Sequence, residues 1–358
     1  MFDHTHYVPI LKGKEGEFSA LRALKPKTKG ALTPLIEVPP IPWDFESEKP
    51  AKSIHGHLEP IAAKLIGAVG EEKRFFVDLL WVQDSQVDGA IHPLDFVLGK
   101  LRQQNGKAIP VTGIDRDEGY QEAIRRIVHE DRRGICLRVQ SNSFEEFFDG
   151  GAEDLLKSMD ITAADADLII DLKAIGPDQS EPIAIAALSV VRSIPNINEW
   201  RSLTFAASAF PQNLIDITAR TIETITRAEW LVWGSLRGRR LPRRPTFGDY
   251  AIAHPEPSEV DPRIIQMSAN IRYTIEREWM IIKTRGARHT GFEQFRDLCR
   301  ALVNTDEYAG ADFSWGDNYI NSCAAGSVDT GNATTWRRVG MNHHLTLVVD
   351  QISNLGAS

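Results

Sequence analysis

One arrangement recurs through the first two-thirds of this chain: a short apolar or β-branched run, a polar turn, then a segment with apolar residues near i, i+3, i+4 and i+7. The runs are YVPIL, LTPLIEV, FFVDLLWV, AIPVTGID, GICLRVQ, DLIIDLK, LTFAASAF and EWLVWGSL. Helical spacing falls between them over 54–69, 94–104, 120–129, 152–159, 182–192 and 214–227. Such alternation constrains the fold because parallel strands need a long crossover connection, for which a helix is the usual solution. About eight such units predict a (β/α)8 barrel of TIM type. The alternative is a doubly wound α/β sheet, although no G-x-G-x-x-G follows an early strand, as its commonest dinucleotide-binding form requires.

After Leu236 the rhythm breaks. FGDYAIAHPEP, SANIRYTIERE and WMIIKTRG alternate apolar and polar residues between Pro-rich or charged turns, the pattern of short antiparallel strands. Residues 292–303 have helical spacing, NTDEYAGADFSWGDNYI reads as an ordered loop, and 345–352 as a closing strand or helix. The expected organisation is a barrel over 1–236, with 237–358 adding a small sheet, a helix and polar loops that complete one domain.

Composition narrows the class. With 42% hydrophobic and 25% charged residues and no apolar run near the roughly 18 residues a membrane span needs, a soluble chain is expected. MFDHTHYVPILKGKEG lacks the basic and apolar succession of a secretory signal, and three cysteines without a CxxC suit a reducing compartment; both point to the cytoplasm. A net charge of −8 disfavours a broad duplex-DNA footprint. One basic stretch, RGRRLPRR over 237–244, stands out, and Arg239 and Arg240 are candidate anion contacts as well as members of a solvated loop.

In a barrel, chemistry gathers at the C-terminal ends of the strands. Charged residues stand there: Glu37, Asp78, Asp115, Arg138, Asp171 and Lys173, with Arg116 beside Asp115. The i, i+2 spacing of Asp171 and Lys173 predicts a shared strand face. Charge inside a strand core is costly unless paired or used. Three readings stay open for this set. It is a structural ion-pair network; or Glu37, Asp78 and Asp171 hold Mg2+ or Mn2+, with Asp78 and Asp171 the main ligands and Arg138 and Lys173 facing a phosphoryl oxygen; or two of the carboxylates act as acid and base.

GNATTWRRVGMNHH, residues 331–344, concentrates donors and acceptors near the C-terminus. Asn332, Thr335, Trp336, Arg337 and His343 are candidate substrate-binding groups, Trp336 as a stacking plate and Arg337 as a phosphate fork. A loop held by its own side-chain to backbone bonds is the alternative. Neighbouring histidines point in different directions on a regular element, and the distant Cys299 and Cys323 lack paired spacing, so a zinc site is not expected.

YVPILKGKEGEFSAL, LTPLIEVPPI, FGDYAI, IRYT, FSWGD, GNATTWR and NHH, in this order and across nearly the whole chain, resemble the beta family proteins of bacteria, phages and mobile elements. The resemblance implies a setting of phage and host conflict. Two kinds of function fit the residues: hydrolysis or transfer on a phosphorylated or anionic substrate such as a nucleotide, or a non-catalytic scaffold that recognises a protein partner, for example from the same operon, or a nucleic-acid component.

Overall fold

Eight strands with apolar residues inside the ring and charged residues at several of their tips close on one another through parallel pairing. The computed structural model describes residues 2–219, 221–257, 268–286 and 293–356. The barrel strands are β1 (Tyr7–Leu11), β2 (Leu35–Glu37), β3 (Arg74–Asp78), β4 (Lys107–Thr112), β5 (Ile135–Gln140), β6 (Ala166–Ala174), β7 (Ser202–Ser208) and β9 (Thr246–Asp249). β9 pairs with both β7 and β1, which closes the ring and confirms the TIM-type architecture. Alternation does the sorting: Val8, Ile10, Leu35, Phe76, Ile109, Val111, Cys136, Ile169 and Ala206 fill the barrel, while the intervening residues face the helices.

The helical layer includes α1 (Glu15–Arg22), α2 (Ile61–Val69), α3 (Pro93–Gln103), α4 (Glu118–Asp131), α5 (Ala152–Ser158), α6 (Ser180–Ser193) and α7 (Ala228–Arg237). α4 shows the local logic. Asp117 accepts from the backbone N–H of Tyr120 at 2.9 Å, Tyr120, Ile124, Ile127 and Val128 bury one face, and Arg132 ends the helix in a left-handed conformation.

The eighth unit differs from the sequence expectation. EWLVWGSL is not a strand but α7, which buries Trp230, Trp233 and Leu236 against the barrel. The eighth strand is TFGD, so the barrel extends past residue 236. The expected helix over 214–227 gives way to β8 (Ile222–Thr226), which pairs antiparallel with β11 (Glu278–Gly286); β11 also pairs with β10 (Ser268–Thr274). The antiparallel addition is therefore present, with β8 contributed from before the barrel closes.

Beyond this sheet come α8 (Gln294–Val303), α9 (Trp315–Ala325) and α10 (Ala333–Gly356). Phe292, the expected start of α8, lies outside the described residues. Of the expected loop, 304–314 is irregular and WGDNYI is helix: Ser314 caps α9 by accepting from Asp317 N at 3.2 Å. Residues 333–344 of GNATTWRRVGMNHH are likewise the first half of a 24-residue helix, with Gly331 and Asn332 just before it. A second core, separate from the barrel, holds Ile271, Tyr273, Met280, Phe295, Cys299, Cys323, Trp336 and Val339. α10 runs from that core to the barrel, packing on α1 and β1 where the eighth helix of such a barrel belongs. Gly316 permits one close approach in this addition, since a Cβ there would lie 2.4 Å from Val339 O.

Candidate functional site

Strand alternation carries four of the predicted charges into the barrel mouth, where they meet on one guanidinium. Arg138 Nη1 donates to Glu37 Oε1 at 2.8 Å and to Asp78 Oδ2 at 2.9 Å. Its Nε and Nη2 donate to Asp171 Oδ2 at 2.9 and 2.8 Å, and Nη2 also to Tyr250 Oη at 2.6 Å. Tyr250 Oη in turn donates to Asp171 Oδ2 at 2.6 Å. Two further cations complete the node: Lys12 Nζ donates to Glu37 Oε2 at 2.6 Å, and Arg116 Nη2 to Asp78 Oδ1 at 3.1 Å. Three carboxylates thus face three cations, and all are buried.

Protonation follows from this geometry. Burial alone would raise the Glu37 carboxyl; the charges of Arg138 and Lys12 outweigh it and hold Glu37 below the usual carboxylate range. Burial likewise opposes the Arg138 charge, and Tyr250, Asp171, Glu37 and Asp78 outweigh it, so its affinity for the proton rises. Burial pushes the Tyr250 hydroxyl well above its ordinary value. The node is consequently a set of matched charges in which Glu37 is held as the carboxylate and Asp78 and Asp171 each accept from a guanidinium.

The remaining predicted rim residues do not join it. Asp115 is exposed and accepts a bond from Asn142 Nδ2 at 3.4 Å; its neighbour Arg116 enters the node instead. Lys173 has a φ of 55° and lies where the β6–β7 register shifts, so the chain has left regular strand and the i, i+2 rule no longer applies. Its backbone N–H caps Asp171 Oδ1 at 2.9 Å. The metal expectation for Asp78 and Asp171 meets a steric reason against it: their oxygens converge on the Arg138 guanidinium. Among the described residues no group of three His, Cys, Asp or Glu is arranged to hold a metal ion.

Residues 331–344 divide between capping, core and rim. Asn332 Oδ1 accepts from Thr334 N and Thr335 N at 2.9 and 3.1 Å, capping α10. Thr335 Oγ1 bonds back to Asn332. Trp336 stacks on Phe295 with ring centroids 4.1 Å apart and donates Nε1–H to Thr330 O at 2.8 Å, so its faces are committed to the core. His343 sits 2.9 Å from Asp317 Oδ2 and 2.7 Å from Thr274 O; His344 sits 3.0 Å from Asp249 Oδ2 and 2.8 Å from Thr274 Oγ1. Tyr7 Oη donates to the same Asp249 at 2.5 Å. The two histidines therefore latch α10 to α9, β10, β9 and β1. Burial lowers the His344 pKa.

FGDY, IRYT, FSWGD and NHH, distant in sequence, are brought together by these contacts. A family profile described as Beta protein matches residues 7–350, nearly the whole chain. The chain belongs to the Beta protein family. A search of curated proteins returns no match.

Arg337 alone of the C-terminal candidates reaches the mouth side. Gly16 allows it, because a Cβ there would lie 2.9 Å from Arg337 Cβ, so α1 and α10 touch at their first turns. Lys14, in the loop after β1, and Arg272 of β10 share this corner. Arg272 Nη1 donates to Ile252 O at 2.8 Å and its guanidinium lies 4.9 Å from the Phe210 ring, both just beyond barrel strand tips. Glu17 Oε1, 3.9 Å from Arg337 Nη1, is the facing carboxylate, and it has no hydrogen-bond partner. Burial and the Arg337 charge lower the Arg272 pKa to about 10, and burial and Arg337 lower that of Lys14.

Arg239 and Arg240 are exposed at the opposite end of the barrel. Arg243, from the same stretch, donates to Ile197 O at 3.2 Å and Arg201 O at 3.3 Å, just before β7 begins. A cleft of about 340 Å3 at that end is lined by Glu153, Lys157, Asp160, Asn196, Glu199 and Trp200, away from the node. Sequence reasoning missed Lys12 and Tyr250 in the node. Lys12 was accessible to it, since Val8, Ile10 and Lys12 continue one inward face; Tyr250 was hidden by the reading of FGDYAI as antiparallel. No helix among the described residues is long and apolar enough to cross a membrane.

Proposed function

We propose that this protein recognises an anionic ligand at the barrel rim, through Lys14, Arg272 and Arg337, and that the Arg138 node serves as internal scaffolding for that rim rather than as a reactive centre. The observation that carries the reading is the unequal distribution of charge. Inside the mouth each carboxylate has a cation; at the rim Arg337, Lys14 and Arg272 lie near one another, Glu17 pairs with Arg337, and Arg272 makes no ion pair among the described residues. Like charges held together cost free energy that an arriving phosphate or carboxylate would return. Arg337 is about one-third exposed, so an anion has access to it. A nucleotide or nucleic-acid-derived anion, in the phage and host setting that the family implies, is the proposed ligand class.

Titration calorimetry with inorganic phosphate and with a nucleoside triphosphate, each at two salt concentrations, tests this. Arg337→Ala should weaken binding by about 1.5–3 kcal/mol, the usual size of a charged hydrogen bond. That change should leave stability unaltered or raised, because it relieves repulsion on Arg272 and Lys14. Wild-type protein that takes up neither probe at low salt would sink the proposal.

A further inference from the structure

Two buried donors at the mouth have no acceptor. Arg116 is 9% exposed and Gln140 8% exposed. Arg116 Nε and Gln140 Nε2 have no hydrogen-bond partner, although a buried N–H without one costs about 1–3 kcal/mol. They leave from neighbouring strand tips. Gln140 ends β5, two residues after Arg138 on the same inward face, and is in register with Asp171 of β6. Arg116 follows β4 and is fixed from two sides: Nη2 donates to Asp78 at 3.1 Å, Nη1 to Gln83 Oε1 at 3.4 Å, and the guanidinium lies 5.2 Å from the Tyr120 ring. The plane is so held, and Nε–H is left without a hydrogen-bond partner. A Cβ at Gly113 would lie 2.5 Å from Asp115 Oδ1 and 3.5 Å from Arg116 Nε, so the exposed Asp115 carboxylate borders this side of the tip. Lys173, at the tip of the next strand, is half-buried and forms no ion pair among the described residues.

We infer that the tips of β4, β5 and β6 form an oxyanion site, in which Arg116 Nε–H and Gln140 Nε2–H donate to one carboxylate or phosphate group and Lys173 adds charge. Arg116 Nε–H and Gln140 Nε2–H lack acceptors, the carboxylates beneath them are already neutralised, and Asp115 at the edge of the sector accepts from Asn142, so a group that accepts is the complement. The inference rests on the anionic-ligand reading, to which it adds a second anchor across the mouth from the Lys14, Arg272 and Arg337 corner.

The test follows side-chain 15N–1H resonances of the full chain during titration with inorganic phosphate and, separately, acetate. The Arg116 Nε–H and Gln140 Nε2–H2 signals are assigned by their loss in Arg116→Lys, which retains a cation for Asp78, and in Gln140→Leu. Both signals should shift with at least one probe, phosphate or acetate identifying the ligand's oxyanion. Gln140→Leu should abolish the Arg116 shift and keep that of Arg337 Nε–H, and should raise the thermal midpoint by removing an unpaired buried donor. If the Arg337 signal responds while those of Arg116 and Gln140 stay fixed, the second anchor is overturned and the rim reading stands. If none responds, both fall. Should Gln140→Leu fold poorly, Arg116→Lys supplies the same comparison through the Gln140 signal; a lowered midpoint in a folded Gln140→Leu protein counts against the unpaired donor.

Discussion

Arg138→Met offers the sharpest test of the node, because the structure assigns its cost to one carboxylate. The side chain keeps roughly the volume and loses the charge. Glu37 retains Lys12 and Asp78 retains Arg116, whereas Asp171 is left with Tyr250 Oη and the Lys173 backbone N–H and no cation. Removing one partner of a buried ion pair costs about 3–5 kcal/mol, a large fraction of the roughly 5–15 kcal/mol that holds a domain folded. Asp171→Asn should cost less, about 1–3 kcal/mol, since Arg138 keeps Glu37 and Asp78. In the double variant the stranded charge is absent, so the two losses should fall short of additivity by about 2 kcal/mol or more. Urea unfolding followed by tryptophan fluorescence measures all four proteins. Additive losses, or an Arg138→Met cost below about 1 kcal/mol at neutral pH, would refute the claim that this guanidinium neutralises the mouth.

Glu229 gives a pH signature. Burial raises its pKa from 4.5 to about 8, so the folded state holds a proton that the unfolded chain releases, and stability falls as pH climbs between those values. Glu229→Gln should gain on wild type by about 1.4 kcal/mol per pH unit at most across that window and level off above pH 8; a pH-independent difference in urea midpoints would contradict it. Wild-type protein should take up no Mg2+ or Mn2+ at the node, where the guanidinium occupies the centre, whereas Arg138→Ala should gain divalent-dependent stabilisation in a thermal scan. Trp336→Ala should cost about 3–5 kcal/mol through loss of its stack on Phe295, with little change in phosphate affinity per folded molecule by calorimetry. Weakened phosphate binding with unaltered stability would return Trp336 to the ligand site.

Much of the barrel was written locally. Period-2 alternation in strands and 3.6-residue spacing in helices are properties of short segments, so β1 to β7 and most of their helices were legible, as was the convergence of Glu37, Asp78, Arg138 and Asp171 on one rim. The places where the reading failed depend on distant partners. TFGD is four residues with a glycine and becomes a barrel strand because β7 and β1 flank it on both sides. EWLVWGSL has strand-like composition, and its three-residue spacing of Trp230, Trp233 and Leu236 acquires meaning only against a barrel wall. Residues 222–226 pair with 278–282, too far along the chain for any local pattern to register.

The same division holds for the site. Residue type alone determined that charges would stand at the strand tips and that 331–344 would need many hydrogen-bond partners. Only the tertiary structure decided which partners those are. Asn332 spends its oxygen on its own helix, Trp336 lies in the second core, and His343 and His344 reach Asp317 and Asp249. Whether a buried charge is a reactive group or a settled one depends on the counter-charges within a few ångströms, and those come from β1, β2, β3, β5 and β6 at once.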